Sequence, residues 1–112
     1  MANLEDVRRL ALALPGSEEV EHFHAPSFKS GKKIYAVLRE PGKVTLGLGP
    51  EDQANLVAAR PGVVEPVRGG TRNDKAGRAG WTHVAFETCD EEELAMLLKL
   101  AWSQVAPRRL GL

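Results

Sequence analysis

Residues 33–48, Lys33-Ile34-Tyr35-Ala36-Val37-Leu38-Arg39-Glu40-Pro41-Gly42-Lys43-Val44-Thr45-Leu46-Gly47-Leu48, decide the fold. Two runs of apolar residues with period two flank a Pro-Gly pair, the signature of strands joined by a turn. Ile34, Ala36 and Leu38 share one face of the first run, and Val44, Leu46 and Leu48 share one face of the second. The segment therefore predicts two half-buried antiparallel strands.

Working toward the N-terminus, Ser27–Ser30 leads through Gly31 into the first run, and Val20–Phe23 supplies a further short strand. The region from Val20 to Leu48 thus reads as an antiparallel meander of three or four strands. Ahead of it, Leu4, Val7, Leu10, Ala11 and Leu14 recur at helical spacing, with Asn3 as N-cap and Glu5 and Asp6 placing negative charge in the first turn. Pro15-Gly16 stops this helix, because proline disfavours the helical conformation in the residue before it.

Toward the C-terminus, Pro50 suits the first turn of a second helix, since the amide it lacks has no partner there; Leu56 and Val57 supply its buried face and Pro61-Gly62 closes it. Val63–Val67 extends the sheet at an edge, where Pro66 needs no donor. Residues 68–80 hold four glycines and no large apolar side chain, which makes them a long loop. Trp81–Phe86 resumes alternation, with Thr82, Val84 and Phe86 on one face and Trp81, His83 and Ala85 on the other. The last helix has Asp90 as N-cap, Glu93 as its reciprocal partner, a stripe of Leu94, Leu97, Leu98, Ala101, Trp102 and Val105, and Pro107 as its stop. The order of elements predicts an α+β fold: an antiparallel sheet with helices packed on one face.

A chain of 112 residues fits one domain, since halving it leaves neither part a competent core. Its 43% apolar and 27% charged residues are ordinary globular usage. Fifteen basic residues balance fifteen acidic ones, and the pI is about 6.8, so any basic site is local rather than a property of the whole surface. The lone Cys89 has no disulfide partner, and the N-terminus shows neither a secretory signal nor a membrane span. A cytoplasmic protein without membrane contact is expected.

The chemistry-bearing residues form no catalytic constellation. His22 and His24 would share a strand face and, with His83 or Cys89, surround a zinc ion, but a second closely spaced ligand pair is missing; no metal and no cofactor are expected. Cys89 precedes a helix N-terminus, yet Asp90, Glu91, Glu92 and Glu93 oppose a thiolate there, so an inert cysteine is expected. Gly69-Gly70-Thr71-Arg72 and Gly47-Leu48-Gly49 lack the pattern of a phosphate-binding loop. Glu18, Glu19 and Glu21 read as a solvated face. Two basic clusters stand out: Lys29, Lys32 and Lys33 around Gly31, and Arg68, Arg72, Lys75 and Arg78 in the loop 68–80, followed by Trp81. If they converge, they track a phosphate backbone while Trp81 stacks on a base or sugar.

Leu14-Pro15-Gly16, His24-Ala25-Pro26-Ser27-Phe28-Lys29, Gly31-Lys32-Lys33-Ile34-Tyr35-Ala36, Gly80-Trp81-Thr82-His83-Val84 and Val105-Ala106-Pro107-Arg108-Arg109-Leu110 succeed one another as in the MmcQ/YjbR family of small bacterial proteins, which the chain resembles over residues 1–112 as a single domain. That resemblance implies an α+β fold similar to secretion-chaperone topology, no established enzymatic activity, and DNA binding through a double wing of hairpins. The chain departs from the family at His24-Ala25-Pro26, where Gly-His-Pro is expected. The function expected is that of a monomeric, non-enzymatic protein that binds double-stranded DNA. The alternative is a protein or peptide adaptor using an apolar sheet face or cleft, with Trp81, Tyr35 and Phe23 as anchors. An enzyme would require His22, His24 and His83 to share a pocket.

Overall fold

The computed structural model describes residues 2–22, 24–38, 41–67 and 81–105. Helix α1, Leu4–Leu12, starts on a reciprocal cap: the Asn3 side chain accepts from the Asp6 amide at 2.9 Å, and the Asp6 carboxylate accepts from the Asn3 amide at 3.0 Å. That amide, with the Arg9 guanidinium, holds the Asp6 carboxyl below its ordinary range. Strands β1 (Ser17–His22), β2 (Ala25–Ser30), β3 (Lys33–Val37) and β4 (Val44–Gly47) follow, then α2 (Pro50–Ala59), β5 (Val64–Pro66), β6 (Trp81–Val84), a 3-10 turn at Phe86–Thr88 and α3 (Glu91–Val105).

The described strands form one six-stranded sheet in the order β1-β2-β3-β4-β6-β5, every neighbouring pair antiparallel. Phe28, Ala36, Val44, Leu46, Val84 and Val64 line the face under the helices, where they join Leu94, Leu97, Leu98 and Ala101 of α3 in the core. Helix α3 packs on β2, β3 and β4, and also on α1. Its Trp102 indole donates to the Pro15 carbonyl at 2.8 Å, which fastens the Pro-Gly stop of α1 to the far end of the chain. The antiparallel α+β architecture with helices on one face agrees with the expectation, and Pro66 does lie in an edge strand.

Four details differ from the sequence pattern. Strict alternation puts Ile34 in the core and Tyr35 outside, but a bulge pairs Phe28 with Ala36 and then Lys29 with Ile34, leaving Tyr35 as the extra residue. Tyr35 is consequently fully buried, donating to the Ala11 carbonyl at 3.2 Å with the Ser17 hydroxyl 2.8 Å away. The strand that opens at Trp81 ends at Val84, and Phe86 reaches the core from the 3-10 turn. Asp90 does cap α3, accepting from the Glu93 amide at 2.8 Å, but the Glu93 carboxylate is engaged elsewhere: Arg60 Nη2 donates to its Oε1 at 3.0 Å, and Nε lies 2.8 Å from Oε2 in an ion contact rather than an aligned hydrogen bond. Finally, α2 buries no residue completely; Leu56 and Val57 are half-buried against the core. Pro107 lies outside the described residues. None of the described helices is long and apolar enough to cross a membrane.

Candidate nucleic-acid interface

The strand directions fix where the basic segments leave the sheet. Strand β3 starts at Lys33 and pairs Ala36 with Leu46, so its first residues lie toward the Gly47 end of β4. Strand β6 starts at Trp81, directly opposite Gly47. Strand β5 finishes with Pro66 opposite Thr82, and the next amide, Val67, donates to the Trp81 carbonyl at 3.0 Å. The β2–β3 turn at Gly31-Lys32 and the residues that flank the segment 68–80, Val67 and Trp81, therefore lie at the same end of the sheet. Three strand spacings separate them, about 14 Å.

That end is held firmly. The Gln53 side chain donates to the Trp81 carbonyl and to the Thr82 hydroxyl, each at 3.0 Å, which ties α2 to the first residues of β6. Gly31, at φ +67°, makes the tight turn that a side chain would strain. Lys32 and Lys33 are exposed. Lys29 is half-buried on the sheet face away from the helices, with Glu18 opposite it on β1 and Ile34 opposite it on β3. The first turn of α2 starts from the same end and contributes Glu51 and Asp52, so among the described residues the positive charge there comes from the lysine turn. Arg68, Arg72, Lys75 and Arg78 lie outside the described residues.

The face of the sheet away from the helices carries Ser27, Val37, Thr45 and His83 in one row of cross-strand partners. Thr45 Oγ1 and His83 Nδ1 are 2.9 Å apart. Ala25 and Val37 are buried on this side, outside the main core cluster. In the neighbouring row the half-buried Trp81 lies over Gly47: a Cβ placed on that glycine would meet the six-membered part of the indole at 3.5 Å. Sequence reasoning passed over both pairs. The signal for the second was a glycine and a tryptophan that each face outward in alternating strands, a combination in which the ring fills the space over bare backbone.

The histidines do not converge. Strand β1 ends at His22, and His24 sits in the following turn at φ +66° rather than on a shared strand face; its Nδ1 is 3.4 Å from Glu21 Oε2. His83 is four strand spacings from β1, about 19 Å. Among the described residues no group of three His, Cys, Asp or Glu could hold a metal ion. Two open clefts, of 510 and 340 Å³, lie at the opposite end of the sheet, one lined by Glu19, Val20, Glu21, His24 and Pro26, the other by Leu4, Pro26, Leu38, Pro41, Gly42, Phe86 and Glu87. Tyr35, proposed from sequence as an adaptor anchor, is buried and unavailable, and Phe23 lies outside the described residues.

Cys89 is 1% exposed, and burial, reinforced by the nearby Glu93 carboxylate, pushes its thiol from 9.0 up to about 11. Between these two values the thiol of the unfolded chain ionises while that of the folded chain does not, so this group's contribution to stability falls as pH rises through that window. A disulfide reagent at pH 8 is expected to leave the native thiol largely unreacted and to titrate one thiol once denaturant is added. Prompt reaction of the native protein would contradict the assignment.

The YjbR family model matches residues 12–104. The chain is similar in structure to the Deinococcus radiodurans protein DR2400, whose crystal structure contains the family domain DUF419: the TM-score is 0.69 and the identity 26%, over 88% of this chain and 74% of that one. No curated protein matches the chain. Because the family model spans residues 12–104 of 112, the chain belongs to the YjbR family.

Proposed function

We propose that this protein is a monomeric, non-enzymatic, cytoplasmic DNA-binding protein. It grips the phosphate backbone with Lys29, Lys32 and Lys33 on one side and Arg68, Arg72, Lys75 and Arg78 on the other, with Trp81 at the foot of the second segment. One observation supports the reading: the Gly31-Lys32 turn and the residues that flank the basic segment 68–80, Val67 and Trp81, lie at the same end of the sheet. The spacing of about 14 Å between the lysine turn and the residues that flank segment 68–80 is comparable to the roughly 12 Å major groove of duplex DNA, which suits contacts on either side of it. Nothing in the arrangement favours base-specific readout, because lysine and arginine on turns neutralise phosphates without reading base edges.

The rival adaptor reading has lost Tyr35 as a surface anchor. The test is a fluorescence anisotropy titration with duplex DNA at several salt concentrations. Binding with a dissociation constant of roughly 1–100 μM, weakening steeply as salt rises, is expected of a backbone-directed site. Absence of binding in that range, or binding indifferent to salt, would exclude the electrostatic mechanism.

A further inference from the structure

We infer that the same end of the sheet also receives an unpaired base on Trp81, so that single-stranded nucleic acid or a frayed strand end is bound there through the ring as well as through the cations that grip a duplex. The inference rests on the backbone-gripping reading above and names its substrate class. The indole sits over Gly47, the position in β4 that offers it bare backbone, and yet remains half-buried rather than covered. The carbonyl of Trp81 is pinned by Gln53 and by the Val67 amide, so the ring is presented from a fixed strand rather than a loop. Lys29 and Ile34, cross-strand partners, lie on the same face. Lys32 and Lys33 follow at the adjoining turn. An aromatic platform on β6 and a cationic turn after β2, at one end of the sheet and three strand spacings apart, suit a strand with exposed bases, since every base has a stacking face and every linkage a phosphate. A duplex, its bases already stacked, can use only the cations.

A purely structural role for the indole, filling the space over Gly47, predicts no difference between ligands, which makes the comparison decisive. Oligo(dT) is expected to quench the tryptophan emission on binding; the signal belongs to Trp81, because Trp102 is 4% exposed and hydrogen-bonded to Pro15. Trp81→Ala is expected to weaken oligo(dT) binding by about 5- to 150-fold while changing duplex binding less than about twofold. Trp81→Tyr should retain most of the affinity. Gly47→Val, which puts branched methyls in the indole's seat, should weaken oligo(dT) binding with the indole still present. Equal loss for both ligands, or no loss for oligo(dT), overturns the inference. Lys32→Glu with Lys33→Glu separates it from the broader reading. If that pair weakens both ligands while Trp81→Ala affects neither, the backbone grip stands and the stacking falls; if the unaltered protein binds neither ligand, both fall.

Discussion

Replacing Phe28 with alanine is expected to destabilise the protein by about 3–5 kcal/mol, the usual range for emptying a fully buried aromatic site. Phe28 is completely inaccessible, lies opposite Ala36 across the β2–β3 pair, and packs in the cluster that α3 closes from above. It also sits immediately before the register shift that turns Tyr35 inward, so neighbouring side chains have little freedom to collapse into the space. Domains of this size are stable by roughly 5–15 kcal/mol, so the loss is a large part of the total. Thermal unfolding followed by circular dichroism should show the midpoint fall by roughly 12–25 °C. Met96→Ala is the control: Met96 is 48% exposed on the solvent side of α3, and its truncation is expected to change stability by less than about 0.5 kcal/mol. Similar shifts for the two variants would mean that the core is not where the sheet and α3 meet.

The second large effect is on binding. Replacing Lys29, Lys32 and Lys33 together with alanine is expected to remove three phosphate contacts. Counterion release then lowers the slope of log affinity against log salt by about 2.7 and reduces duplex affinity at 0.1 M salt by roughly two orders of magnitude. The fold should tolerate the change, because Lys32 and Lys33 are exposed and Lys29 is only half-buried. Lys29 contributes least to the attraction, since Glu18 faces it across the β1–β2 pair. An unchanged salt slope in the triple variant would show that these lysines do not meet phosphate.

Much of this architecture is legible in the sequence. Period-two runs on either side of Pro41-Gly42 reported β3 and β4, and the Asn3 and Asp90 caps located the starts of α1 and α3, because local patterns respond to local forces. The bulge at Tyr35 was not legible. Alternation assigns faces only while the register is unbroken, and a single extra residue moved Tyr35 inward to bond Ala11. Nor could the sequence tell that Glu93 would turn from its own helix start to Arg60, a partner 33 residues away. The candidate site was half legible. Its charges were countable, but the placing of Val67 and Trp81 at the lysine-turn end depends on β6 inserting between β4 and β5, and alternation says nothing about strand order. Trp81 over Gly47 is a consequence of the same insertion.

The central claim is that one end of the sheet holds nucleic acid, and amide chemical-shift mapping during titration with duplex DNA addresses it residue by residue. The largest shifts are expected at Ser30, Gly31, Lys32 and Lys33 and at Val67 and Trp81, where the two basic segments meet the sheet. Shifts confined to Glu21, His24 and Gly42 at the opposite end, or none at saturating DNA, would contradict it.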